Sequence, residues 1–267
     1  MANAWIIPSL PIASARSVAV GTAMGDPNYV ANDFAGVVWR SNASPAGAPN
    51  IQLEIDLGRD QPMDTVQLFG LTGPGAAATV VVQAATEASG GFTGSFYAGP
   101  AQALYAGSLM PVSGLGTALL TLPLGTYRYL RLSFSVPDAS QFVQISRAVV
   151  GKRIEFERNF GFGGSFGVRD LGSLDFSSRG VLLRRRGKKL RTAALTFSHV
   201  NKDEVEALTK PLLERIGNTE MIGLVTDPSA DPQRQNRCYF GPLVGDLGQT
   251  WVKARSFEAK VNLVSIF

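Results

Sequence analysis

Residues 192–227 read TAALTFSHVNKDEVEALTKPLLERIGNTEMIGLVTD: a strand, a helix and a second strand in succession. Ala193 to Phe197 is a short strand, with Leu195 and Phe197 facing one way and the β-branched Thr196 the other. Asn201 stands three residues before Glu204, the spacing of a capping box, in which the Asn side chain takes an orphan N–H and the Glu carboxylate reaches back. Val205, Leu208, Leu212 and Ile216 follow at steps of three and four and give one apolar face. Gly217 suits a left-handed C-cap, and Met221 to Val225 is the second strand. Pro211 removes one hydrogen bond inside the helix, so a kink, or two short helices end to end, is expected there. This is the only convincing helix, spanning residues 202–216. Everything else reads as strand and loop. The fold class is therefore mainly β: two β-sandwich domains, the second with one flanking helix.

The frame is consistent with that reading. A chain of 267 residues holds one large or two ordinary domains. Its 29 glycines and 15 prolines require frequent turns and short strands. A single cysteine, Cys238, excludes an intrachain disulfide, and no apolar run is long enough for a transmembrane helix. Met1 to Trp5 carries no basic start before its apolar stretch, so no secretory signal is expected. Residues 1–150 hold six Lys/Arg and eight Asp/Glu, whereas residues 151–267 hold nineteen and thirteen. The charge shift and a change of texture near Gly151 divide the chain into domains 1–150 and 151–267.

In the first half, Ile51 to Gly58 alternates cleanly, with Ile51, Leu53, Ile55 and Leu57 inward and Gln52, Glu54 and Asp56 outward. Met63 to Leu71 and Thr79 to Ala84 are further strands, and residues 86–100 form a Gly/Ser-rich loop. Leu119 to Leu122 and Tyr127 to Phe134 follow. In the latter, Tyr127, Tyr129, Arg131 and Ser133 share one face, and Arg128, Leu130, Leu132 and Phe134 the other. Seven or eight short strands separated by turn signals describe an antiparallel sandwich.

In the second half, Arg153 to Arg158 alternates as a surface strand. Phe160, Phe162 and Phe166 stand among glycines in an extended segment that packs either on a neighbouring subunit or on its own core. Gly180 to Arg191 reads as a β-hairpin turning near Gly187, with Arg184, Arg185, Arg186, Lys188 and Lys189 clustered on it. Such a cluster can bind phosphates, but no recognition helix or stacking platform accompanies it, so nucleic acid is disfavoured as a partner. The remaining segments read as a loop with two Asp-Pro steps (Asp227 to Gln233) and strands at Cys238 to Leu243 and Trp251 to Phe267.

Catalytic chemistry is poorly served. The lone His199 and lone Cys238 cannot make a zinc site, and no nucleophile elbow stands near a histidine. Gly161 to Gly164 lacks the Lys-Ser/Thr ending of a phosphate loop. Glu155 with Glu157, and Asp227 with Asp231, are carboxylate pairs better read as a solvated face and as turn chemistry than as a glycosidase dyad. No catalytic, cofactor-binding or metal-ligating residue is assigned, and no cofactor is expected.

Two resemblances sharpen the reading. Val38-Trp39-Arg40-Ser41, the Ile51 to Gly58 strand ending in Asp-Leu-Gly, Met63 to Leu68, the Tyr127 to Leu132 strand and the Ile145 to Gly151 strand together resemble the discoidin, or galactose-binding-like, jelly roll. That resemblance implies a sandwich whose loops bind sugars or lipid headgroups, although the paired cysteines usual there are absent. On it rests a glycan site at Trp39, Arg40, Asn42 and Asn50, with the loops 42–50 and 86–97 around it. The order of strands, hairpin, helix and final strands over 151–267 is similar to the ring-forming domain of phage tail tubes and distal tail proteins, with its long inter-subunit hairpins. Together they imply a non-enzymatic distal or minor tail protein of a phage or prophage, made in the host cytoplasm and resident in the virion tail. It would form a homo-oligomeric ring, six-fold by the family's habit, between tail-tube and baseplate proteins. Phe160, Phe162, Phe166 and the Arg184–Arg191 hairpin are the expected interface elements. The alternative is a carbohydrate-binding adhesion module that contacts host surface glycans. Membrane insertion is not expected.

Overall fold

The computed structural model describes residues 2–18, 24–42, 51–138, 141–245, 248–253 and 255–267. The chain is mainly β and divides into two compact units: Met1–Glu155 with Gly223–Cys238, and Phe156–Ile222 with Tyr239–Phe267. The segment 223–238, expected from sequence in the second domain, thus belongs with the first. Gln235 explains why. It is almost wholly buried, its Oε1 accepts from the Thr117 N–H at 2.9 Å, and its Nε2 donates to the carbonyls of Gly107 (2.6 Å) and Leu109 (3.2 Å). Together these bonds satisfy the buried Gln235 amide, which left unpaired would cost about 1–3 kcal/mol.

The first unit contains β1 (Trp5–Pro8), β2 (Ser14–Ser17), β3 (Trp39–Arg40), β4 (Ile51–Leu71), β5 (Thr79–Ala85), β6 (Tyr97–Ala103), β7 (Gly116–Ser135), β8 (Gln144–Ile145), β9 (Arg147–Gly151) and β10 (Ile154–Glu155). Its main sheet runs in the order β2-β4-β7-β5-β6, and β9 pairs with the second half of β4. All these pairings are antiparallel. Where the sequence suggested two strands each, β4 and β7 are single long strands. The β4–β7 ladder shifts register between Asp56 and Gln61, Met63 and Thr65, and Phe69 and Leu71, so bulges carry it through the turn-like residues. Gly58, at φ 77°, supplies the left-handed residue at the first of them.

Strand alternation then sorts the side chains. Ile51, Leu53, Ile55, Val80, Val82, Leu130, Leu132 and Phe134 are all fully buried in one core. Each contributes about 1.5–3 kcal/mol by leaving water. The opposite face of the same strands carries Glu54, Asp56, Tyr129 and Arg131, as their alternation requires.

The second unit contains β11 (Ser165–Asp170), β12 (Ser173–Phe176), β13 (Leu182–Arg185), β14 (Lys189–Asn201), a helical run over 202–216, β17 (Gln249–Lys253) and β18 (Ser256–Val264). β15 (Met221–Val225) and β16 (Cys238–Pro242) are each crossed by the division between units. The sheet order is β11-β14-β18-β17. Ala193, Leu195, Phe197, Val261 and Leu263 are buried in it, while Thr196 faces the other way. The Arg153–Arg158 stretch is strand only at Ile154–Glu155; the Phe156 ring that follows is buried, its centroid 4.7 Å from that of Phe197.

The helix keeps its expected span and its expected face, burying Val205, Leu212 and Ile216. The Asn201 N–H donates to Glu204 Oε2 at 3.1 Å, the reach-back half of a capping box. Proline does not break the run. Lys202–Glu204 is α-helical, Val205–Thr209 is a π-helical turn and Lys210–Ile216 is α-helical again, so the wider turn accommodates the N–H that Pro211 lacks. Gly217 follows with φ 50°.

The hairpin differs from its sequence reading. Its turn is not at Gly187. The Ser177 N–H donates to the Val181 carbonyl and the Gly180 N–H to the Ser177 carbonyl, both at 2.9 Å, and Gly180 has φ 74°. β12 pairs with β13 behind this turn, and β11 pairs with β14 behind that. Gly187 instead marks a waist between the legs, where an added Cβ would lie 2.3 Å from the Gly172 nitrogen. The element is one long arm from Ser165 to Arg191 rather than a short basic hairpin.

Candidate functional site

On the outer face of the first unit's sheet, three strands and one loop enclose a cavity of about 420 Å³. β2 supplies Ser14 and Arg16, β4 Glu54 and Asp56, and β7 Tyr129 and Arg131. The pairing lays them in two cross-strand rows: Arg16 opposite Glu54 opposite Arg131, and Ser14 opposite Asp56 opposite Tyr129. The loop from Gly90 to Thr93 covers one side and brings in the Phe92 ring; Gly90 and Gly91 turn it with φ of 64° and 80°.

Charge in this trough is closely matched. Glu54, only 6 % exposed, accepts from Arg131 Nε at 2.6 Å on one oxygen and from Arg16 on the other. Asp56 takes a forked pair of bonds from Arg128, at 2.9 Å from Nε and 3.2 Å from Nη2, and Arg128 also reaches Glu87 at 2.9 Å. Hydrogen bonding from Arg128 outweighs burial and, with the Gly58 N–H, holds the Asp56 carboxyl below its usual range. The same contact raises Arg128. The Arg131 guanidinium lies 4.0 Å from the centre of the Phe92 ring, a cation–π contact that fixes both. The trough is thus a rigid set of forked donors and two-oxygen acceptors beside an aromatic side chain, with Arg16 opening it to solvent.

No family model and no curated protein matches the chain. Solved structures similar to it include chitosan-binding module 1 of a chitosanase/glucanase from Paenibacillus sp. IK-5, at 14 % identity over 53 % of this chain and 97 % of that one, with a TM-score of 0.39. Others are a Streptococcus pneumoniae fucose-binding module (14 % identity, 55 % and 96 %, TM-score 0.38) and the family 32 carbohydrate-binding module of C. perfringens NanJ with galactose (11 % identity, 55 % and 98 %, TM-score 0.39).

The glycan residues expected from sequence are placed otherwise. Trp39 is 0 % exposed and sits in the core, paired with Ile145 across β3 and β8, so no face of its ring can stack on a sugar. That expectation is corrected. Arg40 lies with its guanidinium 3.5 Å from the centre of the Phe142 ring, and Asn42, two residues on, is half-buried. Asn50 falls outside the described residues, as does the 43–50 part of its loop. Of the 86–97 loop, only Gly90 to Thr93 lines the trough. Asp227 and Asp231 form turns, accepting from the Ser229 and Gln233 N–H groups, and Arg237 bridges both. Burial opposes ionisation of Asp227, but Ser229 and Arg237 hold its carboxyl below the usual range.

The expected interface residues divide as well. Phe160 packs edge-on to Phe197 at 6.1 Å, within its own unit, whereas Phe162 is fully exposed. Phe166 stacks on Tyr239 at 6.4 Å and remains half exposed. Arg184, Arg185, Arg186 and Lys189 are exposed and enter no salt bridge among the described residues. Lys188 donates to the Ile266 carbonyl at 2.7 Å. Sequence reasoning missed the apolar content of the arm: Val168, Leu171, Leu174, Phe176, Leu182 and Leu183 are each half exposed or more.

Proposed function

We propose that the protein is a structural, non-catalytic subunit that assembles with copies of itself, in the manner of a distal or minor tail protein forming a ring between tail tube and baseplate in a phage or prophage virion. The supporting observation is the arm. Eight large exposed apolar side chains and five clustered cations stand on a two-stranded projection. A monomer gains nothing from that arrangement and is exposed by it to unwanted pairing, whereas a subunit interface needs it. Light scattering of the purified full-length chain, followed by negative-stain imaging, tests the reading. A closed ring is the expected result. A strict monomer at the highest attainable concentration overturns it.

A second reading concerns the first unit and is compatible with the first. The trough offers forked guanidinium and carboxylate groups next to Phe92 and Tyr129, the chemistry that grips vicinal hydroxyls and the apolar face of a sugar ring. A carbohydrate-binding role for this unit follows, with host surface glycans as the partner class. Titration of the full-length chain with a panel of mono- and oligosaccharides, read by ligand-observed NMR, tests it. Saturation transfer that Tyr129→Ala abolishes supports the role. No transfer from any saccharide, or transfer unchanged in Tyr129→Ala, removes the trough as its site.

A further inference from the structure

The arm has a definite chemical character. Residues 165–191 contain eight basic and two acidic side chains, a net +6, whereas the whole chain carries +4. All of the protein's excess positive charge therefore lies on the arm, and the remainder is net negative. Along the arm that charge is interleaved with Leu174, Phe176, Leu182 and Leu183, so a matching surface must be apolar and rimmed with carboxylates.

The second unit carries one such surface. Between the helix and the end of the sheet lies a groove of about 380 Å³, lined by Val205, Leu213 and Phe257 and rimmed by Glu206 and Glu214, with Lys210 between them and Lys202 in an exposed, readily exchanged ion pair with Glu206 at 3.5 Å. The helical spacing of four puts Glu206, Lys210 and Glu214 in one stripe. Phe257 is stacked on Trp251 at 5.6 Å, and Trp251 and Val252 are themselves more than half exposed, so the apolar floor continues onto the edge strand β17. In the order β11-β14-β18-β17, the arm grows from the β11 side and the groove opens at the β17 side, at opposite edges of one sheet. The chain's own arm is not seated there, since its apolar side chains are in solvent.

We infer that this groove receives the arm of a second copy of the chain, with Leu182, Leu183 or Phe176 on the Leu213–Phe257–Trp251 floor and the arginines of 184–186 against Glu206 and Glu214. The inference rests on the self-assembly reading and deepens it by naming the receiving surface. Donor and acceptor are different patches at opposite edges, so the contact is head-to-tail, and repetition yields a closed ring or an open filament. The arm is long enough to reach a neighbour, because residues 168–176 extend about 30 Å at the rise of a strand.

Complementary defects test it on the full-length chain, with melting curves confirming that each variant is folded. Arg184→Glu with Arg185→Glu and Arg186→Glu disables the donor, and Glu206→Lys with Glu214→Lys disables the acceptor. Sedimentation velocity at roughly 100 µM should show oligomers for the wild type and a loss of association of roughly tenfold or more for either variant alone. An equimolar mixture of the two charge-reversed variants restores both junctions, the unaltered arm on the unaltered groove and the glutamate arm on the lysine groove. It should regain oligomers that neither variant forms alone, and a mixture that stays monomeric overturns the inference. Wild-type oligomers that persist in the acceptor variant overturn the groove while leaving self-assembly intact. A wild-type monomer overturns both. Salt-sensitive binding of a single-stranded oligonucleotide by the arm, without self-association, assigns the arm to nucleic acid and overturns the inference.

Discussion

Two rows of arginines in this molecule meet opposite fates. In the first unit, Arg16, Arg128 and Arg131 are held at short range by Glu54, Asp56 and Glu87, carboxylates that come from β4 and from the loop after β5. In the second, Arg184, Arg185 and Arg186 stand on an arm with no carboxylate bonded to them among the described residues. The residue type is the same, and the difference lies in where the sheet puts it. Arg131 on the central strand β7 and Arg16 on the edge strand β2 both stand directly across the ladder from Glu54 of β4, so one anion answers two cations. A two-stranded arm has one neighbour per strand and no layer behind it. Across the arm's ladder Asp170 stands opposite Lys189, but Arg184 stands opposite Leu174 and Arg185 opposite Ser173, so the ladder offers those two arginines no anion.

The comparison breaks first, if it breaks at all, at Glu54. Truncation by Glu54→Ala leaves Arg131 half-buried without its carboxylate, and the expected cost is about 3 kcal/mol, visible as a lowered urea midpoint at unchanged slope. Glu54→Gln should recover part of that, since an amide oxygen still accepts. A loss below about 0.5 kcal/mol in the alanine variant shows that the trough is no better organised than the arm.

Next in size is acid sensitivity. The Asp56 carboxyl is held below its usual range in the folded state by Arg128, so the folded form keeps the charge that the unfolded chain would protonate. The stabilisation is therefore complete above the ordinary carboxylate value of 3.8 and is lost as pH falls through the lower, folded value. Melting temperature followed down from pH 6 should fall over that window, and Asp56→Asn should flatten the fall. An identical acid limb in the variant assigns the sensitivity to other carboxylates.

Much of this was legible in residue order. Strand alternation in Ile51 to Gly58 and Tyr127 to Phe134 separates the core residues Leu53, Ile55, Leu130 and Leu132 from the outward Glu54, Asp56, Tyr129 and Arg131, and the structure keeps that division. What alternation cannot supply is register: nothing local says that Glu54 stands opposite Arg131 and Arg16 rather than two residues along. The trough was therefore present as two sets of outward residues without the pairing that joins them. Trp39 failed for a related reason. An indole beside Arg and Asn in a loop-like stretch reads as a binding residue, yet a large side chain next to β8 fills the core, and burial is decided by the layer that arrives from elsewhere in the chain. The Gly187 turn failed because glycine has two uses. Gly180 supplies a positive φ at the true turn, while Gly187 supplies the absence of a side chain where two legs touch.

The smallest expected effect is on the arm itself, and its smallness is what gives it value. Replacing Arg184, Arg185 and Arg186 together by serine removes three exposed cations that bond to no carboxylate among the described residues, so the melting temperature should stay within the equivalent of about 0.5 kcal/mol. Self-association should nonetheless fall away. Whatever association remains should become insensitive to salt between roughly 50 and 500 mM, because the ionic part of the contact is the part removed. Stability unmoved and assembly lost is the pattern of an interface. If instead the triple variant melts markedly earlier, the arginines support the fold of their own chain, and the contrast between the trough and the arm no longer holds.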